Sequence, residues 1–348
     1  LTVFDPLGIS FSITVAITIL LIWVYTFKGG IKTIVWTDSL QTIFMLTAVG
    51  VAIYSICTQL DFSFTDMVSA VDRSPYSKIF FFEDWRSDQY FFKQFFSGMF
   101  IAIVMTGLDQ DMMQKNLSCK NLKEAQWNMF SFSSILIVVN FFFLGMGALL
   151  YLFASTKGLP IPENTDDFFP LLAMEGHLGY AVAVFFILGL IAAAYSSADS
   201  ALTALTTSVC IDFLDIKSRP HKRQSTIRKS VHVAMSLVIY TVIIIFNLIN
   251  DKSVISALFM VAGYTYGPLL GMYTFGLFTK RNVKDLAVPW ISLLSPILCF
   301  ILQSNSESWL NGYTFGFEIL ILNGLLTFLG LLLFSDSSQP RYFLQRES

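Results

Sequence analysis

The sequence predicts an all-α protein that crosses a membrane many times, and three observations carry the prediction. Only 13% of its residues are charged, against roughly 25% in an average soluble domain. Apolar residues make up 55% of the chain and its mean hydropathy is +0.65, far more than one soluble core can bury. Apolar runs recur at 8–27, 33–58, 92–112, 128–154, 179–210, 230–249, 254–278, 287–303 and 314–334, and about 20 such residues suffice for a helix to span the hydrocarbon layer.

Loop charge tests whether all nine runs cross, because Lys and Arg collect on the inner side. The first run carries no charge and ends at Lys28; the second is interrupted only by Asp38. The acid-rich segment DFSFTDMVSAVDRSPYSKIFFFEDWRSDQ follows, and the third run leads into Lys115, Lys120 and Lys123. The fourth, without charge, opens onto STKGLPIPENTDDFFPLLAMEGH, and the fifth, interrupted only by Asp199, onto the basic KSRPHKRQSTIRK. The sixth and seventh are joined by NDK, and the seventh ends before Lys280, Arg281 and Lys284. The eighth and ninth flank QSNSESWLNG, after which Arg341 and Arg346 lie in the tail. With Lys28 inside, 16 of the 22 Lys and Arg fall inside and 6 outside. All nine runs then cross, from outside to inside, and eight of them stand without the first. The expected organisation is a single transmembrane domain over 1–348 in the plasma (inner) membrane, its bilayer partner a lipid one and with no nucleic acid involved.

Cys57, Cys119, Cys210 and Cys299 show no paired spacing, so neither a disulfide framework nor a zinc site is indicated. The histidines His177, His221 and His232 are scattered. No signal peptide is visible and the chain starts at Leu1 rather than Met, so further sequence is expected upstream.

Ionisable residues inside a membrane are costly unless paired or solvated, and so mark candidate sites. Glu318 lies near an outer end, where reaching for water explains it; Asp109 and Asp111 suit capping or pairing near the inner surface. Asp38 and Asp199 lie deeper. Asp199 sits in AAAYSSADSALTAL (192–205), which holds four hydroxyls within eight residues. On a helix, residues at i, i+3 and i+4 share a face, which aligns Ala193, Ser196 and Ser197, and also Ser196, Asp199 and Ser200. Small residues there permit close helix packing, and serine can bond to its own helix. The oxygen-rich set with one carboxylate also suits a hard cation, with hydroxyls and carbonyls making a weak, exchangeable site.

Three stretches together, YTFKGGIKTIVWTDSLQTIFM, LDQDMMQKNLSCKNLKEAQ and GLIAAAYSSADSALTALTTSVCIDF, resemble the sodium/solute symporter family, in that family's order and spacing. The resemblance implies two inverted five-helix repeats whose broken helices hold substrate and sodium near the midplane. It implies that residues 1–58 end the first repeat, 92–278 form the second and 287–334 add C-terminal helices. The first three core helices then have no counterpart, half of the ion site is lacking, and the sequence as it stands is expected not to transport. The resemblance assigns co-transported sodium to Ala193 (carbonyl), Ser196 and Ser197 (hydroxyls), and matches Asp38 to an acid linked to sodium release. A second sodium site is expected from Asp38, Asp199 and Ser200 together with Ser196. On the substrate side, the position of the sugar carriers' aromatic gate is Met105, before Thr106 and Gly107, and a sugar-binding lysine is matched by Leu136. A small non-sugar solute is therefore favoured over glucose-like ones.

The expected function is sodium-coupled symport of a small organic solute. The alternative is a membrane-embedded sensor of the same fold, against which the short tail after Ser335 speaks. An enzyme is not expected: a hydrolase needs an activated nucleophile, and the chain has neither a GxSxG elbow nor a His-rich metal set.

Overall fold

The computed structural model describes residues 10–26, 31–249 and 254–336, and the chain is helical nearly throughout. Each apolar run becomes a helix: α1 (Phe11–Thr26), α2 (Ile31–Gln59), α4 (Phe91–Gly107), α6 (Leu122–Lys157), α8 (Tyr180–Ser208), α9 (His221–Ile249), α10 (Val254–Phe278), α11 (Ala287–Trp309) and α12 (Ile319–Leu333). Six of these are long and apolar enough to cross a membrane by length and composition; α1, α4 and α12 are shorter apolar helices. The loops between runs add α3 (Phe64–Asp72), α5 (Gln110–Leu117) and α7 (Phe168–Met174). Ser63 starts α3 through a capping box with Asp66, which satisfies two otherwise orphaned backbone donors. Lys28, Arg341 and Arg346, part of the loop-charge pattern, lie outside the described residues.

The chain divides into two compact units. The first comprises Leu1–Ser77 and Cys119–Ser253, the second Lys78–Ser118 and Val254–Ser348. In the first, α2 and α8 pack along their length in antiparallel register, pinned at three levels. Ser55 Oγ donates to Leu178 O at 2.6 Å; a Cβ on Gly189 would meet Met45 at 3.4 Å; and Ser196 Oγ donates to Asp38. The paired residue numbers sum to nearly the same value each time, as antiparallel helices of equal rise require. The core beside this seam holds Val49, Ala52, Ile56, Leu149, Phe153, Leu172 and Val182, all buried. α8 is 29 residues long and runs on through a π turn at Val209–Phe213. At about 1.5 Å per residue it is roughly 44 Å long, well over the ~30 Å hydrocarbon layer.

In the second unit α10 and α12 run parallel. Gly263, Gly267 and Gly271 of α10 face Ile319, Asn323 and Thr327 of α12, each so closely that an added Cβ would lie within 2.3–2.7 Å of its neighbour. Pro268 has no N–H, so the carbonyl of Tyr264 loses its helical donor. Asn323, fully buried, supplies one: its Nδ2 donates to Tyr264 O at 2.9 Å and Gly263 O at 3.0 Å. Ser295 of α11 donates to the Asn323 side-chain oxygen in turn.

Candidate functional site

Within the first unit, the polar residues of α8 form one stripe. Ser196, Asp199, Ser200 and Thr206 are buried, with Asp199 only 1% exposed. Thr203 Oγ1 lies 3.4 Å from Asp199 Oδ1, a marginal hydrogen bond, and Thr206 Oγ1 lies 3.2 Å from His232 Nδ1 on α9. Ser208 donates to Asp212 at 2.8 Å. Steps of three and four residues keep Ser196, Asp199, Ser200, Thr203 and Thr206 on one side of the helix, and Ser208 and Asp212 lie on another. α2 presents Asp38 to the top of the stripe, where its carboxylate accepts the Ser196 hydroxyl proton. That hydroxyl keeps its lone pairs free to accept or coordinate. The Ser200 hydroxyl is buried without a hydrogen-bond partner among the described residues, an arrangement that costs about 1–3 kcal/mol unless a ligand relieves it.

The contact between Asp38 and Ser196 sets the levels of the two carboxylates. Asp199 lies three residues beyond Ser196, so its backbone sits about 4.5 Å, not quite one turn, further along α8. Asp38 is only six residues into a span that starts near Lys32, whereas Asp199 is 13 residues short of Asp212. The overlength of α8 reconciles the two. Two of the three hydroxyl and carbonyl positions expected for sodium are less enclosed: Ala193 is half-buried and Ser197 exposed. The structure thus brings Asp38, Ser196, Asp199 and Ser200 to one seam, and turns Ser197 to another side of α8.

Met105, Thr106 and Gly107 form the last turn of α4, in the second unit. There the helix breaks. Gly107 closes it, and α5 begins at Gln110. Met105 packs with Leu108 and Tyr266 against Ile101, Val104, Leu270 and Leu320, while Gly107 borders open space. Asp109 caps the new helix, accepting from Met112 N at 3.1 Å, and its other oxygen lies 3.4 Å from the Tyr266 hydroxyl. Capping therefore explains Asp109; Asp111 falls within α5, its side chain outside the described ones. Glu318 departs from expectation. It does not reach for water but is largely enclosed at 15% exposure, 3.9 Å from Lys93, and accepts from the Tyr313 hydroxyl at 2.9 Å. Lys93 in turn lies over the Tyr313 ring at 3.5 Å, so this end of the unit is an ion pair roofed by an aromatic ring.

Sequence reasoning missed His232 and Tyr266. A lone histidine or tyrosine in an apolar run carries no spacing signal. The α8 stripe itself, continued from Asp199 through Thr203 to Thr206, would have pointed to a polar partner on the next helix.

A helical membrane protein crossing several times, with a buried hydroxyl–carboxylate seam, is the class that fold and site define. The chain belongs to the sodium:solute symporter family, whose model matches residues 4–289; it is a multi-pass integral membrane protein of a family of carriers rather than enzymes. It is 24% identical over 321 residues to the sodium/sialic acid symporter SiaT of Proteus mirabilis, covering 89% of this chain and 63% of the relative. It is 22% identical over 300 residues to the sodium/glucose cotransporter of Vibrio parahaemolyticus, covering 80% and 54%. With the human sodium/iodide cotransporter it shares 24% over 264 residues, 73% of this chain and 40% of the relative. A solved structure of a Na+-coupled sialic acid symporter, substrate-bound and outward-open, superposes with a TM-score of 0.73 at 20% identity, covering 94% of this chain and 66% of that one. The chain thus spans less than two thirds of the length of each of these relatives.

Proposed function

We propose that the chain forms the ion-binding part of a sodium-coupled symporter that moves a small organic solute by alternating access, with residues 1–58 closing one five-helix repeat and 92–278 forming the next. The observation that carries this reading is the Asp38–Ser196 contact, with Asp199 and the unpartnered Ser200 hydroxyl buried beside it. Two carboxylates at nearby levels in a low-dielectric seam repel one another, and a cation between them offsets that repulsion. A monovalent ion there would meet two carboxylates, the lone pairs of Ser196 and the Ser200 hydroxyl, a set in which every ligand is a hard oxygen. Its release removes a positive charge from between the two carboxylates, which couples ion occupancy to the packing of α2 on α8.

A first sodium site uses the Ala193 carbonyl with Ser196 and Ser197, so that Ser196 belongs to both. Met105, Thr106 and Gly107 line the solute path at the break between α4 and α5. The relatives are named for sialic acid, glucose and iodide, and the thioether at position 105, in place of an aromatic gate, supports a non-sugar solute.

The second site consists wholly of residues in this chain, so the purified protein tests it directly. Binding of radioactive sodium at pH 8 should saturate, and Asp38→Asn and Asp199→Asn should each weaken it at least tenfold, about 1.4 kcal/mol. Equal sodium affinity in wild type and both variants would remove the site.

A further inference from the structure

We propose that the turn joining α8 to α9, with the first turns of α9, is a binding site for anionic phospholipid headgroups. Between Ile216 and Ile249 the sequence carries six Lys or Arg and no acid, and all six lie within 217–229. Lys217, Arg219, Arg223, Arg228 and Lys229 are exposed. Two acids lie just upstream, Asp212, which accepts the Ser208 hydroxyl, and Asp215, which turns the chain at φ 42°; six basic residues against two acids leave a net charge of +4 over 212–229. No other connection between apolar runs holds as many basic residues; 280–284 holds three, followed at once by Asp285.

An apolar rim lies beside the cluster. Ile211, Phe213 and Leu214 are exposed at 42%, 81% and 40%, at the end of the helix that continues α8. The candidate span of α8 ends at Phe213 and that of α9 starts at Arg223, so exposed apolar side chains and the basic cluster share the short turn between two spans. Exposed apolar side chains beside a run of cations match an acyl layer beside a phosphate layer. A soluble phosphate would answer only the second half of that surface, so the lipid is the occupant. Attraction of this kind is screened by salt, the Debye length falling to about 3 Å at 1 M.

The test uses the intact chain in nanodiscs of phosphatidylcholine mixed with phosphatidylglycerol. Lipid retained on extraction should be enriched severalfold in phosphatidylglycerol relative to the bulk mixture, and the enrichment should disappear in 1 M salt. Replacing Lys217, Arg219, Arg223, Arg228 and Lys229 together by Gln should abolish it; replacing Lys280, Arg281 and Lys284 by Gln should not. Because the fivefold variant could fail to fold, a second measurement leaves every charge in place. A fluorophore on a single cysteine at Ser225 should be quenched more by brominated phosphatidylglycerol than by brominated phosphatidylcholine. Enrichment that survives the fivefold change, or equal quenching by the two lipids, overturns the proposal. So does displacement of the lipid by inorganic phosphate, which would mark a free-phosphate site. None of these readouts depends on sodium or on transport.

Discussion

A single hydroxyl, that of Ser196, is shared by the two proposed sodium sites. Ser196 touches Asp38 and is buried, whereas Ser197, one position on, is exposed on another side of α8. Removing Ser197 takes a ligand from one site only, while removing Ser196 takes one from both and removes a donor from the Asp38 carboxylate. In a carrier assembled with its remaining helices, Ser196→Ala should therefore raise the sodium concentration for half-maximal uptake more than Ser197→Ala. The double variant should raise it tenfold or more, roughly 1.4 kcal/mol. Sodium titration of solute uptake decides the order; a larger effect from Ser197→Ala would reverse the assignment. The same titration should show a Hill coefficient near two in the unaltered carrier, falling toward one in Asp38→Asn and Asp199→Asn.

At the level of the helix, α10 is the most constrained element of the second unit. Gly263, Gly267 and Gly271 recur every fourth residue and bring its backbone against α12, a small-residue seam of the kind that drives helix association in lipid. A methyl group at Gly267 would lie 2.3 Å from Asn323 Nδ2, so Gly267→Ala must displace the amide that satisfies Tyr264. The expected cost is about 1–3 kcal/mol from overpacking, read as a lower melting temperature in detergent. Gly276→Ala, on the same helix with open space around it, should leave melting unchanged. Asn323→Leu should also destabilise, since it leaves the Tyr264 carbonyl buried without a donor. Equal melting of Gly267→Ala and Gly276→Ala would show that the seam is looser than its geometry.

For the whole molecule, the positions of the spans were legible because apolar run length is a one-dimensional property, and all nine runs became helices. What lay between them was less so. The helix at 64–72 and the restart after Gly107 depend on caps at Ser63 and Asp109, and the helix at 168–174 on the burial of Phe168, Leu172 and Ala173, none of which hydropathy weighs. The candidate site was legible in part. Spacing on α8 showed that Ser196, Asp199 and Ser200 share a face, but the pairing of Ser196 with Asp38 depends on a register between helices 158 residues apart. Glu318 was misread because its partner Lys93 lies in a distant segment. Sidedness rests on loop charge and can be checked directly. With the native cysteines replaced, a cysteine at exposed Thr65 should react with a membrane-impermeant thiol reagent on intact cells, and one at exposed Ser218 should not. The reverse pattern would invert the orientation.

The three ties along α2 and α8 have a mechanical consequence. Two rods joined at one level can slide or scissor; joined near Ser55, at Gly189 and again at Ser196, they cannot shear without breaking a hydrogen bond or opening a packed contact. They can still tilt as one lever. A push at the Gln59 end, where its amide holds the His177 carbonyl at 2.8 Å, therefore arrives at Asp38 as rotation rather than as slip.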